Sequence, residues 1–156
     1  MNRIKPFILF WTLISLGLSQ STYFLYFSWN GQEIKLQEIE SIPDSVKHRT
    51  PRNNSNQLLY IEFSSNGHPV YWTAIHDPRK VHVEYPNTDG SLNRKDIVLD
   101  DIDFAIRVPT NFDADRIRFL KPSPGKRSKF ESGIPFSTQS AFNTIQELPI
   151  RISKSP

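Results

Sequence analysis

The chain has 156 residues, of which 37% are hydrophobic and 12% aromatic, with a formal net charge of +3 and no cysteine. That length gives room for one small domain with a core. The missing cysteine excludes disulfides, thiolate-bound zinc, iron–sulfur clusters and thiol nucleophiles together. Charge is unevenly spread: residues 20–120 hold 14 acidic and 11 basic side chains, whereas Lys121, Lys126, Arg127, Lys129, Arg151 and Lys154 face only Glu131 and Glu147 beyond them. A mildly acidic body is thus followed by a basic tail.

Arg3 and Lys5 precede an apolar run from Phe7 to Leu18, with small residues at Gly17 and Ser19. This is the outline of a secretory signal peptide, too short to span a bilayer, with cleavage expected after Ser19. The alternative is an uncleaved membrane anchor that runs on through Tyr23–Phe27. The chain therefore divides into a signal peptide (1–19), a β-sandwich domain (20–121) and a proline-containing basic extension (122–156).

Residues 22–29 serve better as a strand than as the end of a membrane helix, because Asn30-Gly31 marks a hairpin turn. A two-residue loop sets Phe27 opposite Ile34 and Leu25 opposite Leu36, apolar against apolar. The partner strand runs from Glu33 to Ser41. Residues 43–57 are polar, hold two prolines and read as a long surface loop, in which Asn53-Asn54-Ser55 matches the glycosylation acceptor pattern.

Leu58 to Pro78 is the strongest hairpin signal, two runs of β-formers around Asn66-Gly67. Ser65 then faces His68, and counting outward puts Phe63 against Val70, Ile61 against Trp72 and Leu59 against Ala74. Trp72 is expected in the core. Val81, Val83 and Tyr85 form the next strand, and Asn87–Gly90 closes a third hairpin. There a longer loop with Gly90 in the left-handed region is expected, setting Val83 against Ile97 and Val81 against Leu99. Ile102, Phe104, Ile106 and Val108 alternate with polar residues up to Pro109, and Ile117 and Phe119 point inward from a last strand. The extension beyond residue 121 is expected to drape over the sandwich through Phe130, Phe136, Phe142 and Ile145, or to be partly disordered.

These elements sum to an all-β chain, an immunoglobulin-like or fibronectin-like antiparallel β-sandwich of about seven to eight strands built from consecutive hairpins. Phe104–Pro109 followed by Arg116–Phe119 resembles the closing strands of β-sandwich modules attached to bacterial secreted enzymes, a likeness that implies the fold and no site residue.

No motif for chemistry emerges. His76, Asp77, His82 and Glu84 are a weak candidate metal site without zinc-signature spacing, since HExxH is absent. Asp96, Asp100, Asp101 and Asp103 lack the calcium-loop pattern, and cross-strand pairing with Arg107, Arg116 and Arg118 is their expected use. Neither a serine nucleophile elbow nor a phosphate-binding glycine loop is present. Tyr60, Tyr71 and Tyr85 are the candidate binding surface, because amphipathic rings suit recognition of protein or carbohydrate. The reading is an exported, secreted or periplasmic, non-enzymatic binding or structural module of the bacterial cell envelope. Its partner is expected to be a protein or envelope polymer, with no cofactor, no nucleic acid, and membrane contact only through an uncleaved N-terminus. The alternative is a small metal-dependent or hydrolytic secreted enzyme, or an accessory domain of one.

Overall fold

Three glycines set the turns from which the chain is folded. Gly31, Gly67 and Gly90 have φ of 81°, 79° and 83°, and Asn66 has φ of 51°, so Asn66-Gly67 supplies both positive-φ positions of a type I′ turn. In the computed structural model, residues 21–43, 58–123 and 142–153 are described. The signal-peptide region, the 44–57 segment with its Asn53 acceptor, and the stretch carrying Phe130 and Phe136 lie outside them.

Nine antiparallel strands, and no helix, occur among the described residues: β1 (Thr22–Trp29), β2 (Ile34–Ile42), β3 (Leu58–Ser65), β4 (His68–His76), β5 (Lys80–Pro86), β6 (Leu92–Val98), β7 (Ile102–Pro109), β8 (Ala114–Pro122) and β9 (Phe142–Ile152). They form a three-stranded sheet β2-β1-β7, a four-stranded sheet β4-β3-β8-β9 and a separate two-stranded ribbon β5-β6. The four-stranded sheet has the order of an immunoglobulin C′-C-F-G sheet. In the smaller sheet the first described strand is central, whereas in the immunoglobulin A-B-E-D sheet it is the second strand that separates A from E. No helix among the described residues is long and apolar enough to cross a membrane.

The two larger sheets face each other across one core. Leu25, Phe27 and Trp29 of β1 and Ile106 and Val108 of β7 meet Leu59, Ile61 and Phe63 of β3 and Ile117 and Phe119 of β8. Phe119 sits edge-on to Phe27 and Phe104 at centroid distances of 5.3 and 6.3 Å, the offset geometry that aromatic quadrupoles favour. At one margin Gln146 of β9 closes the sandwich: its Oε1 accepts the Ile34 N–H (2.6 Å) and its Nε2 donates to the Ile34 carbonyl (2.8 Å). One side chain thus stands in for a neighbouring strand at a fully buried residue.

Turn positions agree with the sequence, and registers depart from it. The first hairpin uses a longer loop, Asn30–Glu33, because Asn30 Oδ1 accepts the N–H groups of Gln32 and Glu33 (3.2 and 2.7 Å). Trp29 then pairs with Ile34 and Phe27 with Leu36, and a bulge after Leu36 pairs Leu25 with Ile39. In the central hairpin Ser65 does face His68, but a bulge at Val70 sets Phe63 against Tyr71, Glu62 against Trp72 and Tyr60 against Ala74. Trp72 therefore lies on the outer face, half-buried against Leu58, Tyr60, Ala74, Leu120 and Phe142, and Tyr71 and Ile75 take the inner positions. Pro69 is accommodated beside this bulge on an edge strand, where a missing N–H is tolerated. The third hairpin has its expected longer loop with Gly90 in the left-handed region, but the loop is Thr88-Asp89-Gly90, closed by Asn87 and Ser91, so Val83 meets Lys95 and Val81 meets Ile97 in place of the expected Ile97 and Leu99.

The segment read as a draping extension supplies an eleven-residue strand, β9, hydrogen-bonded to β8, so residues 142–152 belong to the sandwich. The expected pairing of Asp101 and Asp103 with Arg116 and Arg118 does not form, because β7 and β8 belong to different sheets. Arg118 bonds Glu62, Arg116 bonds Glu147 at 2.8 Å, and the Arg107 guanidinium lies 4.8 Å from the Phe24 ring. Glu62 is 2% exposed, and burial raises its carboxyl pKa while the Arg118 contact opposes the rise.

Candidate functional site

Every residue of β5 is exposed, and in β6 all but Ile97 are. Among the described residues, Val81, Val83, Tyr85, Leu92, Val98 and Leu99 account for six of the eight exposed large hydrophobic side chains. Scattered apolar residues on a surface need no explanation, but a cluster confined to one projecting element does. The ribbon β5-β6 is therefore the candidate site, and its geometry follows from how its two ends are held.

The root is an ionic plug at one end of the core. Asp77, in the turn before β5, is 3% exposed. Its carboxylate accepts from Lys121 Nζ at 2.9 Å, lies 3.8 Å from Arg79 Nε and accepts the Arg79 backbone N–H at 3.2 Å. The Arg79 guanidinium lies 4.0 Å and the Lys121 ammonium 5.8 Å from the ring centroid of Trp29, a cation–π arrangement beneath the turn. Two backbone bonds complete the root, Lys80 N–H to Asp77 C=O (3.0 Å) and Leu99 N–H to Arg79 C=O (2.9 Å). Buried charge, aromatic face and turn thus fix where the ribbon leaves the body.

The tip is a type I turn closed by a left-handed glycine. Asn87 N–H donates to Ser91 C=O (2.8 Å) and Gly90 N–H to Asn87 C=O (3.1 Å), leaving Thr88-Asp89-Gly90 as a three-residue loop. Asp89 Oδ1 accepts both the backbone N–H and the hydroxyl of Ser91, at 2.9 and 2.7 Å. These bonds favour the ionised form and lower the Asp89 pKa.

Between root and tip the faces alternate. Val81, Val83 and Tyr85 share one with Asn93, Lys95 and Ile97, and Lys80, His82, Glu84 and Pro86 share the other with Leu92, Arg94, Asp96 and Val98. On the second face His82 Nδ1 lies 2.5 Å from Asp96 Oδ1, and Arg94 Nε is 3.7 Å from the same oxygen. The His82 hydrogen bond is the chief cause that holds the Asp96 carboxyl below the ordinary range.

The residues singled out from sequence do not converge. Tyr60 is 1% exposed and packs edge-on to Phe142 at 5.0 Å. Tyr71 is half-buried and stacks on Phe112 at 4.8 Å, where burial pushes its phenol up to about 12. Tyr85 alone is well exposed, on the ribbon, so the three rings share no surface. Their alternation placed them correctly on strands, but it could not show that β3 is buried on both faces. Of the metal candidates, Asp77 is held by Lys121 and Arg79, His82 by Asp96, and Glu84 lies opposite Arg94. No group of three or more His, Cys, Asp or Glu side chains among the described residues is arranged to hold a metal ion.

Sequence reasoning missed Leu92, Arg94, Asp96 and Val98 as a surface and Trp29, Arg79 and Lys121 as its anchor. The anchor unites residues from three distant stretches and has no local signal. Apart from the ribbon, a hollow of about 660 Å³, open to solvent, lies along Tyr26, Ser28, Gln37, Glu38 and Asp103 on the outer face of the smaller sheet. Its polar groups are engaged nearby, Gln37 with Ser28 (2.6 Å) and the Tyr26 hydroxyl with Glu40 (3.2 Å).

Comparison of the chain with protein-family models, with curated proteins and with solved structures gives no match.

Proposed function

We propose that the protein is a non-enzymatic binding or structural module of the bacterial cell envelope, exported by its N-terminal segment, and that it makes its contacts through the ribbon β5-β6. The observation that supports this reading is the set of exposed apolar side chains, Val81, Val83, Tyr85, Leu92, Val98 and Leu99, on one element fastened at both ends. A projecting pair of strands offers side chains on two faces and backbone groups on two edges, the means by which sheets recognise protein partners. Arg3, Lys5 and the apolar run Phe7–Leu18 support export.

The test is photo-crosslinking in intact cells, with a photoreactive residue at Tyr85 or Leu92 and a control at the exposed Lys35. Fractionation and the intact mass of the purified chain report the compartment and the cleavage. Adducts at the ribbon positions and none at Lys35, in an extracytoplasmic fraction, are the expected result. Equal crosslinking at all three positions, or a cytoplasmic chain of full mass, would overturn the reading.

A further inference from the structure

The ribbon has two outer edges, and they are not equivalent. Asn87 with Ser91 and Arg79 with Leu99 are hydrogen-bonded partners, so the odd-numbered residues of β5 and β6 turn their backbone groups toward each other. The even-numbered residues turn theirs outward. On the β5 edge the Lys80 N–H is already donated to Asp77, and Pro86 has none to give. The β6 edge presents the N–H and C=O of Leu92, Arg94, Asp96 and Val98 without a proline, and it pairs with no strand among the described residues. Natural sheets guard such edges: β5 does so with Pro86 and the Lys80–Asp77 bond, whereas β6 carries charge at Arg94, Lys95 and Asp96 but keeps its outward backbone groups unpaired by any strand among the described residues.

We propose that this edge binds a second copy of the chain, β6 against β6, antiparallel about a two-fold axis through Lys95, so that two ribbons make one four-stranded sheet. The inference rests on the reading of the ribbon as the contact surface and names its occupant. Outward-pointing residues must meet outward-pointing residues, so the axis passes through a residue, and only Lys95 lets the seven-residue strand pair from end to end. That register sets Leu92 opposite Val98 and Arg94 opposite Asp96 of the second copy, each twice by symmetry. Leu92 and Val98 are 67% and 58% exposed, the two most exposed large apolar side chains among the described residues, and the pairing covers both. An axis at Arg94 would set Arg94 against itself and Leu92 against Asp96. At Asp96 it would set Asp96 against itself and Arg94 against Val98. Charge and hydropathy thus select the same register as strand length.

Lys95 opposes itself at the axis, on the other face. Like charges directly across a ladder are unfavourable, so Lys95 holds the association weak and reversible, and this gives the proposal a signature that a general sticky patch lacks.

Sedimentation velocity of the full chain purified from cells, from micromolar to millimolar concentration, is the experiment. The expected result is a concentration-dependent monomer–dimer equilibrium in which Lys95→Gln tightens association roughly threefold and Arg94→Asp weakens it roughly tenfold or more, from the loss of two cross-strand pairs. The swap Arg94→Asp with Asp96→Arg restores the pairing and should recover most of that loss. Circular dichroism of each variant monitors folding, and the swap reports on pairing independently of it. A chain that is monomeric throughout, a swap that fails to recover, or a Lys95→Gln variant that associates less would overturn the proposal. A monomeric chain that still crosslinks a different protein through Tyr85 sinks only this inference; one that crosslinks nothing there sinks the contact reading as well.

Discussion

Removing the carboxylate at Asp77 tests how the ribbon is tied to the body. In Asp77→Ala, Lys121 and Arg79 lose the one anion placed against them among the described residues and remain packed over buried Trp29. Removing one partner of a buried pair costs about 3–5 kcal/mol. The Lys121 side chain is 34% exposed and is partly rehydrated, so the lower end, about 3 kcal/mol, is expected. Asp77→Asn keeps Oδ1 to accept the Arg79 N–H but puts an amide donor where Oδ2 accepted from Lys121, so it loses the charge and the Lys121 bond and should cost about 1 kcal/mol less than alanine, the value of the retained turn hydrogen bond. Urea unfolding followed by near-ultraviolet circular dichroism reads both variants, with midpoint shifts at unchanged slope. For a domain of this size the alanine variant should melt roughly 6–12 °C lower. Hydrogen exchange should speed at the Lys80 and Leu99 amides, which close the ribbon root, before it changes in β3. An Asp77→Asn variant as stable as the parent, with zero coupling to Lys121→Met in a double-mutant cycle, would refute the account of the root.

Gln146→Ala should cost about 1–3 kcal/mol in urea unfolding, because it strips partners from the N–H and C=O of a fully buried residue, Ile34. Gln146→Glu should recover little, since a carboxylate can accept the Ile34 N–H but cannot donate to its carbonyl. Gly67→Ala should cost about 1 kcal/mol and no more: its φ of 79° disfavours a side chain, yet an added Cβ meets nothing within 4 Å. Glu62 predicts a pH dependence. Its folded pKa is raised above the ordinary 4.5 by burial, so the native state holds this proton more tightly than the unfolded chain. The associated stability is fully present below pH 4.5 and is lost as pH rises through the raised value. Unfolding midpoints of the parent and Glu62→Gln, compared from acid to neutral pH, should therefore diverge in that window, and a constant difference would count against the assignment.

The turns were legible because their signals are local. Asn30-Gly31, Asn66-Gly67 and Asp89-Gly90 each place a glycine where a positive φ is needed, and no distant residue enters that argument. Register is a comparison between faces, and it fails as a signal when both faces are apolar. In β3, Leu59, Ile61 and Phe63 point into the core while Leu58 and Tyr60 are buried in the outer cluster. A shift of one residue therefore still sets apolar against apolar at Phe63–Tyr71, Tyr60–Ala74 and Leu59–Ile75, so the pattern did not reveal the Val70 bulge that moved Trp72 outward. In β2 a trace does exist. Leu36 and Ile39 are three apart, which strict alternation would send to opposite faces, and the bulge after Leu36 brings both to the core. Pro149 hid β9, since a proline argues against a central strand. On the edge of the four-stranded sheet it is tolerated.

Body and ribbon are held by different physics, and the difference bears on what the ribbon is for. β3 is buried on both faces, and burial alone accounts for its place. β5 and β6 are exposed on both, and a two-stranded hairpin is at best marginally stable in water without a third strand or a surface to lie on. This one has a hydrogen-bonded tip at Asn87–Ser91 and a buried root at Asp77, Arg79 and Trp29, which together define its shape without covering its apolar side chains. Restraints at both ends reduce the entropy that a binding strand would otherwise lose on docking. Leu92 and Val98 stay largely exposed in the folded monomer, and the proposed further strand lying along β6 would cover both.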